Sequence, residues 1–272
     1  RRGLAQSIYQ VGGNAGSASA PLITALVLVP LGQFGSIWFT LIGGLAVIFL
    51  LYIARWYAVE MKAFTANTAQ VSQNNQKRKI PRAIINALIV LVFLVFARSW
   101  YQSTIGNFYA FYTIENYGLS IAQSQIYIFT FLLMGAFGTF LGGPLADRFG
   151  KRQVILFSLI VPAPLALILP HVGQTSAIIM LAAIGLLLMS SFSVTVVYAQ
   201  ELMPGKIGTM SGLIVGLAFG MGAIGSVALG TLIDWIGLNP TIIITSFLPL
   251  LGFLTFLLPT DEMVNQWNIE NI

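Results

Sequence analysis

Eight apolar runs divide the chain, each close to the roughly 20 residues that carry a helix across a bilayer core. They lie near 4–30, 36–56, 83–110, 122–144, 153–170, 176–199, 207–233 and 240–259. None shows the alternation of a lipid-facing β-strand, so the pattern predicts an all-α integral membrane protein with eight transmembrane helices. The polar stretches between runs are short, with one exception. From Ala58 to Pro81 the chain is hydrophilic, rich in Gln, Asn and Ser from Gln70 to Gln76 and closed by Lys77-Arg78-Lys79. It reads as a flexible basic linker, with two spans before it and six after. Pro162 and Pro164 in the fifth span and Pro249 in the eighth predict kinks.

Composition agrees with the pattern and narrows the chemistry. Of 272 residues, 57% are hydrophobic and 8% charged, against roughly 25% charged in soluble domains. The chain has no cysteine, which excludes disulfides, thiol nucleophiles and cysteine-ligated metals. The net charge of +5 is distributed as a topology signal, not as a nucleic-acid surface. Arg1, Arg2, Arg55, Lys62, Lys77, Arg78, Lys79, Arg82, Arg148, Lys151, Arg152 and Lys206 all fall on one side of the membrane. The opposite loops, near 31–35, 111–121, 171–175 and 234–239, hold no Lys or Arg. By the positive-inside rule both ends of the chain are cytoplasmic. With one histidine, His171, at an external helix end and no Asp or Glu within the middle of a span, no convergent catalytic cluster forms. The reading is not an enzyme, and it calls for no metal and no cofactor.

The densest charge among the spans is Gly142-Gly143-Pro144-Leu145-Ala146-Asp147-Arg148-Phe149-Gly150-Lys151-Arg152, between the fourth and fifth runs. Read from Gly143 as G-x-L-x-D-R-x-G-K-R, it resembles the signature loop of the major facilitator superfamily of secondary transporters, which joins the second and third helices of a six-helix repeat. Glycines permit the sharp turn, the bases hold the loop in the cytoplasm, and the aspartate suits a helix N-terminus. Three further stretches are similar to the fosmidomycin resistance proteins of bacteria. They are Gly3 to Asn14 (GLAQSIYQVGGN), Val197 to Lys206 (VYAQELMPGK) and Ser211 to Gly222 (SGLIVGLAFGMG).

That resemblance implies a twelve-helix transporter of which this chain is the C-terminal two-thirds. Residues 1–57 would be the last two helices of the N-terminal half, 58–81 the cytoplasmic linker and 82–272 the six-helix C-terminal half. The partners would be the missing N-terminal helices, protons, the lipid bilayer and a small anionic drug. The implied activity is proton-driven export of fosmidomycin, a small phosphonate, across the bacterial cytoplasmic membrane by alternating access. A transporter of another small organic anion fits the same residues. A non-transporting scaffold would leave a costly intramembrane charge without purpose.

That charge is Arg98, mid-span in Leu91 to Gln102 (LVFLVFARSWYQ) and far from either surface. At helical spacing it shares a face with Tyr101, Gln102, Ile105 and Tyr109. It either lines a central cavity and meets an anionic substrate group, which a guanidinium fits bidentately, or is a structural charge paired elsewhere. In the first span Gln6, Gln10 and Asn14 form one polar stripe, a cavity face or interhelical glue. The same span carries Gly12-Gly13 and Gly16 before Pro21, similar to a degraded glycine-proline motif of superfamily antiporters.

Small residues mark expected packing faces: Gly12 and Gly16 on the first span, and Gly135, Gly138, Gly142 and Gly143 on the fourth, where it would cross the first. On the seventh they are Gly208, Gly212, Gly216 and Gly220. Gly220-Met-Gly222-Ala-Ile-Gly225 spells a dinucleotide fingerprint, but no strand precedes it. The loop residues Gly143, Asp147, Arg148, Gly150, Lys151 and Arg152 form the expected conformational gate. Pseudo-symmetry points Asp147 at the start of the first span, near Arg1 to Leu4. Glu201 and Lys206 flank a turn at Pro204-Gly205 and read as structural.

Overall fold

The computed structural model describes residues 2–68 and 81–270. Among these every regular element is helical, and eight helices are long and apolar enough to cross a membrane. They are α1 (Gly3–Leu31), α2 (Ile37–Val59), α3 (Arg82–Tyr117), α4 (Ile121–Phe149), α5 (Lys151–His171), α6 (Gln174–Leu202), α7 (Pro204–Ile236) and α8 (Leu238–Leu257). A shorter α9 (Asp261–Glu270) follows. The spans coincide with the eight apolar runs. α3 continues past its run to Tyr117 and stops where Gly118 takes a left-handed φ of 65°. α4 opens on a capping box between Ser120 and Gln123.

The helix containing α2 runs on to Thr68, well into the stretch read as linker. Ala, Glu, Met and Lys dominate that extension, with no Gly or Pro to stop it. Residues 69–80, with the Lys77-Arg78-Lys79 cluster, lie outside the described residues.

The chain divides into two compact units, one of Arg1–Ala25 with Arg82–Ile272, the other of Leu26–Pro81. Most of α1 therefore lies in the same compact unit as α3 to α8. Within the first unit α4 is the central helix, packed most extensively on α1 and α6. Hydroxyl and amide groups join the three helices. Ser7 and Ser193 lie 2.7 Å apart, Asn14 Nδ2 donates to Thr139 Oγ1 at 2.7 Å, and Thr139 Oγ1 donates to the Met189 carbonyl of α6 at 3.3 Å.

The glycines of α4 face two partners. A Cβ on Gly143 would collide with Gly3 and Ser7 of α1, whereas Gly138 and Gly142 lie against the carbonyls of Leu186 and Ser190 on α6. Gly135 meets the flexible side chain of Met189. Gly143 thus meets α1 and the three other glycines meet α6, because Gly135, Gly138 and Gly142 share one face of the helix while Gly143 lies about 100° further round.

Several helices are interrupted. α5 breaks at Val161 before Pro162, and α8 tightens into a 3₁₀ helix over Leu248–Leu257 around Pro249. Proline accounts for both. Without proline, α3 widens into a π turn over Thr104–Phe108, and α6 is interrupted at Ser190. At the end of the unit carrying the α3–α4 and α5–α6 turns, Tyr112, Tyr117 and Tyr127 donate to the carbonyls of Pro170, Val172 and Gln174. Asn116 and Asn239 exchange amide hydrogen bonds of 2.9 and 3.2 Å there, tying α3 to α8.

Candidate functional site

Arg98 sits in the middle of α3 and is only 3% exposed. Its guanidinium carbon lies 4.7 Å from the ring centroid of Phe192 on α6, a cation–π contact strengthened by the absence of water. Nε and Nη2 have no hydrogen-bond partner among the described residues. No carboxylate answers the charge, since every Asp and Glu of the sequence lies near or beyond an end of a span. A buried cation with two unused donors is costly unless something anionic or polar meets it.

Next to it lies a cavity of about 360 Å³ between α1, α3, α4, α6 and α7. Its polar wall is Asn14, Ser99, Gln102, Ser103, Asn107 and Ser226, and its apolar wall includes Leu132, Met189, Phe192 and Phe219. Nothing charged lines it among the described residues. Of the residues proposed from sequence, Gln102 and Asn14 are on this wall. Arg98 is not: it lies behind Phe192, whose ring touches both guanidinium and cavity. Phe192 is in turn held edge-on by Phe219, with centroids 6.5 Å apart at 89°. Tyr101 and Tyr109 are buried in the helical core off the wall. Gln10 is 8% exposed, and its Nε2 has no partner among the described residues.

The charged loop is built at the opposite end of α4 from Ser120. Asp147 lies beside the first turn of α1, its Oδ1 2.9 Å from where a Cβ on Gly3 would stand, near amides that no helical carbonyl satisfies. Gly150 turns the chain with φ 96°, a conformation that disfavours any side chain. Lys151 pairs with Glu201 of α6 at 3.0 Å, and its backbone amide donates to Asp261 of α9 at 2.7 Å. Arg152 Nη2 donates to the Phe256 carbonyl at 2.9 Å, at the end of α8. Arg148 is exposed, with its guanidinium 5.3 Å from the ring of Phe149. The loop thus ties α4 and α5 to α6, α8 and α9. A Cβ on Gly12, Gly16, Gly208, Gly212, Gly216 or Gly220 would meet nothing within 4 Å among the described residues.

Residues 1–224 match the family model described as Major Facilitator Superfamily. The chain belongs to that superfamily. It is 64% identical over 268 residues to an uncharacterized MFS-type transporter, YfnC, of Bacillus subtilis strain 168, an alignment covering 98% of this chain and 66% of the relative. It is 40% identical over 262 residues to a fosmidomycin resistance protein of Escherichia coli K12, covering 96% of this chain and 64% of that protein. The chain spans slightly less than two-thirds of the length of these curated relatives. As a superfamily member it is a multi-pass, all-helical membrane protein, and its family and relatives are transporters.

Sequence reasoning missed Phe192, Ser103, Asn107 and Ser226. Phe192 is one of 19 phenylalanines, and the ring itself carries no mark of its contact with a charge. The π turn that sets the direction of Asn107 has no proline to announce it. The available signal was the run Ser190-Ser191-Phe192-Ser193, unusually polar for the middle of a span.

Proposed function

We propose that a transporter containing these eight spans exports a small organic anion from the bacterial cytoplasm, with fosmidomycin as one such compound. The observation that carries this reading is Arg98: a mid-span guanidinium with two unused donors, no carboxylate partner and a small uncharged polar cavity beside it. A phosphonate in that cavity would supply the missing counter-charge on the far side of the Phe192 ring, and once that ring swings aside the guanidinium would donate two parallel hydrogen bonds to it. The fosmidomycin resistance protein among the relatives supports the choice of drug.

In this reading α3 to α8 form one six-helix half and both chain ends are cytoplasmic. The two halves rock about the cavity in alternating access. Asp147 against the first turn of α1, with Gly143, Gly150 and the Lys151–Glu201 pair, latches the cytoplasmic side. Protons drive export through a carboxylate outside these spans, because none lies within them. Another small anion is exported by the same chemistry if fosmidomycin is not the native cargo.

The test is growth. The full-length protein is expressed in drug-sensitive bacteria as wild type, Arg98→Gln and Asp147→Ala at equal membrane abundance. Tolerance to fosmidomycin that the wild type confers and Arg98→Gln loses supports the reading. No tolerance from the wild type retires the drug, and tolerance that survives Arg98→Gln retires Arg98 as the anion site.

A further inference from the structure

The Phe192 ring stands between the Arg98 guanidinium and the cavity. One side lies 4.7 Å from the guanidinium carbon, and the other forms part of the cavity wall. Nε and Nη2 are sealed from solvent and have no partner among the described residues. In the planar fork these two nitrogens share one edge, which can bind two oxygens of an anion side by side. An edge suited to anions is therefore kept dry and unused while the ring is in place.

Two contacts hold the ring and one feature of the backbone loosens it. The guanidinium meets its inner face, and Phe219 meets it edge-on from α7, with centroids 6.5 Å apart at 89°. Phe219 is itself 68% exposed, so the outer hold has room to turn. Two residues before Phe192 the helix is interrupted at Ser190, whose amide donates to the Leu187 carbonyl at 3.2 Å. A regular α turn reaches back four residues, not three. The hydroxyls of Ser190, Ser191 and Thr195 donate to the carbonyls of Leu187, Leu188 and Ser191 at 2.7, 3.3 and 2.7 Å. Such side-chain competition for backbone acceptors bends helices.

We infer that Phe192 is a shutter over Arg98, closed by the guanidinium and Phe219 and hinged at Ser190, that keeps ambient inorganic anions off the guanidinium. The inference deepens the export reading above and rests on it for its purpose. A cation–π contact away from water and an edge-to-face ring pair together favour the closed ring by about ten- to a hundredfold. The affinity of any anion for Arg98 is reduced by the fraction of time the ring is open. Phosphate and chloride, which offer nothing beyond the charge, are thereby held off. A cargo that also fills the cavity offsets the loss through its other contacts. Phe192 thus sets which anions gain the guanidinium, and its negative ring face stabilises the charge while none is bound.

The test reads the guanidinium directly. Phenylglyoxal, which reacts with guanidinium groups, is applied to the purified full-length protein, and modification of each arginine is followed by mass spectrometry. Arg98 of the wild type should react slowly. Phe192→Ala should speed it about tenfold and Phe219→Ala by a smaller factor, following the open fraction. Phe192→Tyr keeps a ring and should stay within about twofold of the wild type. Arg152, held by the Phe256 carbonyl, should react alike in every variant, which shows that the helices still pack. Inorganic phosphate should slow the reaction of Arg98 in Phe192→Ala and leave the wild type unchanged. Fast modification of Arg98 in the wild type, or slow modification in the alanine variants, overturns the shutter. If Phe192→Ala does not fold, Phe219→Ala decides by the same criterion. Equal protection of wild type and variant by phosphate overturns the exclusion of ambient anions. These rates need no cargo, so a wild type that confers no tolerance to fosmidomycin overturns the export reading without deciding the shutter.

Discussion

Arg98 is where charge and membrane conflict most directly. Insertion scales put an arginine at the helix centre at about 2.5–3.5 kcal/mol, and within the described residues it recovers part of that only from the Phe192 ring. The contact is measurable as a coupling. In a double-mutant cycle of Arg98→Met and Phe192→Leu, read as thermal stability in detergent, the pair should show about 1–2 kcal/mol of interaction. Additive losses would mean that the ring serves only as packing. Arg98→Lys keeps the charge but loses the planar fork, so it should fold to wild-type abundance and still lose about tenfold in phosphonate affinity. Arg98 was legible from sequence because it is a mid-span charge in a chain almost free of them. Its neighbour Phe192 was not, because an aromatic ring in an apolar helix is indistinguishable from lipid-facing or core rings until the helices are placed.

At the level of elements, α4 is set by what its glycines allow. Gly142 lies directly on the Ser190 carbonyl where α6 is interrupted, whereas Gly135 faces the end of a flexible methionine. Gly142→Ala should therefore cost about 1–3 kcal/mol through backbone displacement and lower the melting temperature in detergent clearly more than Gly135→Ala. Equal shifts would show that α6 moves freely. Glycine spacing revealed that α4 packs closely, and the family resemblance pointed it at α1; that Gly138 and Gly142 meet α6 was not legible, because small residues suit any neighbour. Kinks at Pro162 and Pro249 could be read from sequence because proline removes a donor. The π turn of α3 could not, because no proline lies within Thr104–Phe108 to mark it.

For the whole molecule, hydropathy and the placement of basic residues were sufficient to find all eight spans, since a bilayer leaves so few alternatives. They say nothing of which side chains join α1 to its neighbours, the Ser7–Ser193 contact and the Asn14–Thr139 bond. The proposed orientation is directly testable because the chain has no native cysteine. In a cysteine-free full-length protein, a cysteine at Gly205 should react with an impermeant maleimide only after cells are opened, and one at Gly173 in intact cells. The reverse pattern would invert the membrane orientation. The latch belongs to the same scale. Lys151→Glu and Glu201→Lys should each impair drug tolerance, and the double exchange should restore at least half of it if their 3.0 Å pairing is what matters.

The central claim is that Arg98 receives an anion being moved out of the cell. The most direct measurement is accumulation of labelled fosmidomycin in everted membrane vesicles containing the full-length protein, with the interior made acidic. The wild type should accumulate drug in proportion to the imposed pH difference, and Arg98→Gln at equal abundance should accumulate about tenfold less, the equivalent of roughly 1.4 kcal/mol. Accumulation that is the same with and without the guanidinium would contradict the claim.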